Sequence, residues 1–400
     1  MTATSAWSIV EHHGRAGLLE LEADWRRLYA AMPLRTSYHV YEAHLAYVDH
    51  LMAAPDELRC LALRDRERVR AICLLEAKED HTLGPSLRVW QLPFLPLLRL
   101  RDIVCPEDEA RREFIPVLAA YLRRQPHGRR LLELGPLPEK SVLWDGLRRL
   151  GEGRYCTEGV QGMHVLDCSR PFEELMSRLS KKFRSDLRRR RRKLDSLADV
   201  RFVTVTEQAD LAAEFETLLE LEASGWKGAA GSAIRLRREW PAFFRSLLAL
   251  QGGQDYCEIH AIYVDGRCIA SQLCLRTGGE YAGLKTCYDE GHSRTAPGLL
   301  LLERTVQRCC KDPDVVRMNW LNASAWQRPW SPDLVTMQRA YVAVDPWTGR
   351  PLIALLRFRL GYARRFVRWM RTRRERFSGQ VANRRAVQTE ESPSRERAGP

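Results

Sequence analysis

Apolar and polar positions alternate along most of this chain, and the period of the alternation switches between two and about 3.6 several times. Ala6 to Glu11 reads as a strand. Leu18, Leu21, Trp25 and Leu28 then fall at helical spacing and predict a helix over Leu18 to Ala31, followed by a second over Val40 to Met52. Strands are predicted over Leu58 to Leu63 and Val69 to Leu75, joined by the charged turn Arg64 to Arg68, and over Leu87 to Leu92. A proline-broken loop, Pro93 to Pro106, leads to a helix over Glu107 to Arg124, a strand over Leu131 to Leu134, a helix over Glu139 to Leu150 and a strand over Tyr155 to Asp167.

Much the same order returns from Val200. A strand over Val200 to Val205, helices over Gln208 to Ser224 and Arg237 to Leu250, three strands, a helix, and strands over Val315 to Leu321 and Leu334 to Val344 are predicted. Each half runs β-α-α-β-β-β-α-β and closes with one more strand, so the chain reads as a distant duplication with little sequence identity.

The densest pattern lies in Tyr256 to Cys310. Cys257 to Val264, Cys268 to Arg276 and Glu280 to Tyr288 are strands of a meander, separated by Asp265-Gly266 and Gly278-Gly279. After the polar loop Asp289 to Ala296, Pro297-Gly298 opens an apolar helix that continues to Cys310. Proline suits a first helical turn, glycine lets a ligand approach the bare backbone, and the free N–H groups of a helix start favour anions such as phosphates.

Composition narrows the classes. With 400 residues the chain is expected to form two domains, each with its own core. Met1 to Arg15 lacks a signal-peptide core and no stretch reaches the roughly 20 apolar residues of a membrane span, which predicts a cytoplasmic protein. Eleven cysteines, without CxxC pairs or Cys/His spacing, read as reduced core thiols, and no metal is expected.

The net charge of +13 is concentrated. Arg178 to Lys193 carries ten Lys/Arg against Asp186, and Leu352 to Phe377 nine Arg against Glu375, so these two segments exceed the whole surplus and the remainder is slightly acidic. Leu175, Leu179, Phe183 and Leu187 give the first segment, Phe172 to Leu194, one apolar stripe. It reads either as a solvated connecting helix or as an arm for an anionic ligand. The second, with Phe366, Trp369 and Met370 among its arginines, suits either an anionic membrane surface, which would make the protein peripheral at the inner face, or packing on the body.

The motifs Ser180-Lys181-Lys182-Phe183-Arg184, Leu221-Glu222, Gly225-Trp226-Lys227-Gly228, Gly231-Ser232-Ala233-Ile234, Asp265-Gly266-Arg267 with Ile269-Ala270, and Lys285 with Tyr288-Asp289-Glu290 and Pro297-Gly298 cover about 170 to 330. With the element order, they resemble the GNAT-type N-acetyltransferase superfamily, more closely the CelD/BioF-like acyltransferase domain, a relative of the FemAB peptidyltransferases that carry two such folds in tandem. The resemblance implies an α/β (α+β) chain of two tandem GNAT-like folds, with mixed sheets flanked by helices. The expected domains are 1–168, degenerate and a wall of the substrate groove; 169–199, a basic connecting helix; 200–350, the acyltransferase; 351–377, a basic amphipathic helix; and 378–400, a disordered tail.

It implies acyl transfer from acetyl-CoA or another acyl-CoA to an amine or hydroxyl, often of a polysaccharide or lipid precursor. Glu222 and Asp289 are the candidate general bases, each ending an element at the presumed cleft; a helix-surface acid and a turn-former are their plainer readings. Thr295, Pro297, Gly298, Leu299 and Leu300 are the candidate cofactor contacts. Arg184, Trp226, Lys227, Lys285, Tyr288 and Asn322 are the candidate substrate contacts, with Trp226-Lys227 expected in a loop. The tyrosine that many acetyltransferases use to protonate the leaving thiolate is missing, since Asn322-Ala323-Ser324-Ala325-Trp326 stands in its region. Transfer from aminoacyl-tRNA, with the arginine helix on RNA phosphates, and a non-catalytic membrane-associated adaptor are the other readings.

Overall fold

The computed structural model describes residues 7–81, 86–125, 131–252 and 255–362. The first half contains β1 (Trp7–His13), α1 (Gly14–Glu20), α2 (Glu22–Ala30), α3 (Tyr41–His50), β2 (Arg59–Asp65), β3 (Arg68–Asp80), β4 (Leu87–Gln91), α4 (Asp108–Arg123), β5 (Leu131–Pro138), α5 (Leu143–Arg148) and β6 (Tyr155–Asp167). After α6 (Phe172–Arg178) and α7 (Lys181–Asp195) come β7 (Val200–Val205), α8 (Gln208–Ser224), α9 (Trp226–Ala229), α10 (Trp240–Leu248), the short β8 (Gln251–Gly252), β9 (Asp255–Val264), β10 (Arg267–Thr277), β11 (Glu280–Tyr288), α11 (Pro297–Cys309), β12 (Arg317–Asn319) and β13 (Asp333–Ala343). A last helix, α12, runs over 346–362.

The strands form one sheet in the order β1, β2, β3, β4, β5, β13, β6, β12, β11, β10, β9, β7, with β8 beside β9. The two halves exchange their last strands. β13 pairs with β5 and β6, whereas β6 pairs with β12 and β13, so each half's closing strand sits on the other half's fifth. β4 with β5 and β11 with β12 are the parallel pairs. One apolar core runs through both halves, from Trp25 and Phe114 to Phe215 and Phe244. A second lies under α7 and α11.

Several boundaries differ from the sequence reading, for local reasons. The single helix expected over Phe172 to Leu194 is broken at Leu179, which is extended, and Ser180 restarts it by accepting the Phe183 N–H at 3.2 Å. Leu175, Leu179, Phe183 and Leu187 are nevertheless all buried, and Phe183 meets Trp330 edge-on at 5.4 Å. The helix expected from Leu352 begins at 346 instead, where Asp345 accepts the Thr348 N–H at 2.9 Å and Pro346 occupies the first turn. Ile353 and Leu356 bury against Val89, Leu131 and Tyr341, so this part of the segment packs on the body. Phe366, Trp369 and Met370, and the tail from 378, lie outside the described residues.

A buried polar cluster fixes α11 to the sheet. Glu258 on β9 is fully buried and takes the Arg308 guanidinium at 2.6 Å and the Tyr281 hydroxyl at 2.7 Å; His260 lies 3.3 Å away. Burial opposes its charge, but His260, Arg308 and Tyr281 outweigh it and hold the carboxyl at about 2. A depressed carboxyl stabilises the fold above its unfolded value. Stability should therefore fall as pH drops from about 4.5 to about 2, and Glu258→Gln should flatten that part of a denaturation-against-pH profile.

Candidate functional site

β11 and β12 pair only over Glu280 to Ala282 against Arg317 to Asn319, then part. At the parting β11 also bulges: Lys285 faces Leu273 and Gly283 faces Cys274, which leaves Leu284 without a partner on β10. Leu321 just beyond β12 holds a left-handed φ of 57°, an uncommon state for a branched residue. A cavity of about 410 Å³ opens here, lined by Leu284, Trp320 and Asn322 of the second half, Trp240 of α10, and Phe94 and Arg99 of the first half. Its walls are mainly apolar.

Beside the end of β11, α11 begins. Ala296 precedes it with φ of 50°, Pro297 is buried, and a Cβ added at Gly298 would lie 3.4 Å from the Tyr288 ring and 4.0 Å from the Thr286 methyl. The Leu299 and Leu300 N–H groups, expected to be free, turn back onto the Ala296 carbonyl at 3.0 and 3.2 Å. Among the described residues, the Gly298 N–H has no acceptor. The Leu300 side chain is in the core, and the Thr295 hydroxyl donates to the His292 carbonyl at 2.8 Å.

On the α8 side of the same strand, Glu222 is buried. One of its carboxylate oxygens accepts the Ile234 N–H at 2.8 Å; the other faces the Lys285 ammonium at 2.5 Å and the Lys227 ammonium at 3.7 Å. This departs from an exposed helix-end acid, and Lys285 points inward rather than to solvent. Lys227 also donates to the Thr286 carbonyl at 2.6 Å, and burial together with Lys285 pulls its pKa below the ordinary lysine range. Trp226 and Lys227 lie not in a loop but on α9, folded back on the end of α8. Only glycine serves at position 228, because a Cβ there would sit 1.8 Å from the Ala223 carbonyl oxygen. Trp226 is left 58% exposed, with the Lys227 ammonium 5.8 Å from its ring centre.

Asp289 takes the turn-former's place: it accepts the Gly291 N–H at 2.9 Å and pairs with Arg267 at 2.9 Å. Asn322 braces the loop after β12, donating to the Trp320 carbonyl at 3.0 Å and accepting from Ser324 at 2.7 Å. Arg184 sits on α7 with a buried Nε that has no partner among the described residues. Glu290, not among the expected site residues, accepts the Trp226 N–H at 2.9 Å and so ties α9 to the turn after β11. The bulge was signalled by Gly283, a glycine inside a strand.

These features fit a phosphate-bearing thioester. The parted strands leave an edge for an extended arm, the Gly298 amide has no acceptor among the described residues, and Arg184, with its orphaned Nε, belongs to α7, which packs on α11 and on the turn at Glu290–Thr295.

Comparison with known proteins places this geometry. Residues 181–328 match the family described as acetyltransferase (GNAT) domain. The crystal structure of FemX superposes with a TM-score of 0.56 at 10% identity, covering 86% of this chain and 99% of that one. The C-terminal domain of a protein named as a lysylphosphatidylglycerol synthetase from Agrobacterium fabrum gives 0.50 at 10% identity, covering 85% and 95%. No curated protein matches. Residues 181–328 are thus similar to a GNAT acetyltransferase domain, and the chain as a whole shares its fold with FemX.

Proposed function

We propose that the protein transfers an acyl group from an acyl-CoA to an amine or hydroxyl of a glycan, lipid or related precursor, at the opening between β11 and β12. The observation that carries this is the parting of those strands beside a bare-backbone helix start, above an apolar cavity to which both halves contribute. The diphosphate of the donor meets the Gly298 amide and Arg184, and its pantetheine lies along the strand edge. The first half, through Phe94 and Arg99, forms the acceptor's wall.

The acceptor attacks the thioester carbonyl, the carbon–sulfur bond breaks, and the thiolate takes a proton from solvent. Glu222, enclosed by two lysines and an amide, acts by positioning; Asp289 shapes the turn. Lys227, which donates to the Thr286 carbonyl and faces Glu222, is held in place as a cation, and the acceptor's proton passes to solvent. Direct transfer needs little more than this positioning.

The test is saturable thermal stabilisation by acetyl- and longer acyl-CoA, followed by release of free thiol with candidate amine and sugar acceptors. Absence of both in the folded protein would end the proposal and favour the adaptor reading.

Transfer from aminoacyl-tRNA has one observation in its favour. Within the run Arg188 to Arg192, Arg189 and Arg190 are tied to Asp186 and Arg191 to Glu303, whereas Arg188 and Arg192 stand exposed, without partners among the described residues. Arg188→Gln/Arg192→Gln should leave stability within about 0.5 kcal/mol. If tRNA is the donor, it should weaken tRNA binding and lower its salt dependence by about one to two charges. An effect on tRNA binding with no acyl-CoA binding at all would select that donor.

A further inference from the structure

Helix α12 has two apolar faces, and the body uses only one. Ile353 and Leu356 are buried on the sheet, with Leu352 and Leu360 packed beside them. On the opposite side Trp347, Leu355, Phe358 and Tyr362 are 87, 49, 72 and 66% exposed. With the exposed Pro351 they follow at steps of four, four, three and four residues, which lines them up as one stripe along the helix. A packed helix ordinarily turns polar residues outward, so a second, aromatic stripe requires an occupant.

The charges around it indicate which. Residues 346–362 contain Arg350, Arg357 and Arg359 and no acidic residue. On a helical wheel Arg350 and Arg359 flank the stripe on either side, while Arg357 donates to the Tyr155 carbonyl. A second copy of this face would bring arginine against arginine with no carboxylate to answer it. An anionic lipid surface answers both features: phosphates take the flanking guanidinium groups, and Trp347 and Tyr362 are amphipathic rings suited to the headgroup level. Among the described residues no helix is long and apolar enough to cross a membrane, so α12 would lie in the interface.

We infer that the outer face of α12 docks the protein on anionic lipid through Trp347, Leu355, Phe358 and Tyr362, flanked by Arg350 and Arg359. This rests on α12 alone and does not depend on the acyl-transfer reading.

The test uses the full chain, co-sedimented with phosphatidylglycerol/phosphatidylcholine vesicles and with pure phosphatidylcholine vesicles. The unaltered protein should prefer the anionic vesicles at least about tenfold. Trp347→Ser/Phe358→Ser should lower anionic partitioning by about tenfold or more with an unchanged melting temperature, because both side chains are largely in solvent. What binding remains in that variant should vanish in high salt, whereas the unaltered protein keeps a salt-resistant part. Equal pelleting with neutral and anionic vesicles would overturn the proposal. So would a Trp347→Ser/Phe358→Ser variant that pellets like the unaltered protein, or a change from dimer to monomer in that variant with vesicle binding unaffected.

Discussion

Replacing Glu222 by glutamine is expected to destabilise the protein by about 3–5 kcal/mol, the usual cost of removing one member of a buried ion cluster. The carboxylate is fully buried and faces two ammonium groups, Lys285 at 2.5 Å and Lys227 at 3.7 Å, neither of which has another carboxylate within ion-pair distance among the described residues. Without it, two cations are left against one another in a poorly solvated pocket. The loss should depend on pH in a particular direction. Burial and Lys285 already depress Lys227, and Glu222 is the main group that opposes them. In the variant, Lys227 should titrate further below its unfolded value, so the unfolded chain binds more protons and stability should rise as the medium becomes alkaline. Urea titrations from neutral to alkaline pH would measure this. Glu222→Gln/Lys285→Met, with one cation fewer, should recover part of the loss. A single variant as stable as the parent at neutral pH would remove Glu222 from the structural centre of the site.

Gly298→Val should raise the Kd for acyl-CoA at least tenfold, about 1.4 kcal/mol, while Gly298→Ala should have a smaller effect. The free protein has room for the alanine: its Cβ would meet Tyr288 at 3.4 Å, an ordinary contact. The branches of valine would lie over the Gly298 amide and against the Tyr288 ring, closing the approach to a backbone that a phosphate must reach. Isothermal titration with coenzyme A, paired with melting curves to show that the variant is folded, decides the matter. Unchanged affinity in a folded Gly298→Val protein would move the donor site away from α11.

The element order was legible because both periods are written locally. β6, α8 and β11 run over the same residues that the pattern indicated, Tyr155 to Asp167, Gln208 to Ser224 and Glu280 to Tyr288. Pro297-Gly298 marked the start of α11 for the same reason. The carboxylates were harder. Glu222 meets Lys285 across 63 positions, and nothing in Leu221-Glu222 distinguishes an acid that ends a helix in solvent from one turned into the sheet. Asp289 was readable either way, since Asp before Glu290-Gly291 is also a turn signal. The early start of α12 was marked by Asp345-Pro346, a stop for the strand and a start for the helix at once. The exchange of β6 and β13 left no mark, because a closing strand has the same period whichever neighbour it finds.

That exchange governs how the chain can be cut and assembled. A piece spanning 200–350 keeps β13 but loses β6, the strand on which both β12 and β13 lie; a piece ending at 168 keeps β6 but leaves β5 without its antiparallel neighbour. Each fragment would present a bare strand edge, the usual route to aggregation. Neither half can complete its sheet until the other has been synthesised, and the pairings involved are far apart along the chain, which slows folding. The same geometry allows two chains to trade closing strands at high concentration, an intertwined dimer with every native pairing intact. Expression of the second half alone is therefore a poor route to a folded protein. Co-expression of the two halves, which restores both pairings in trans, is the arrangement the sheet permits.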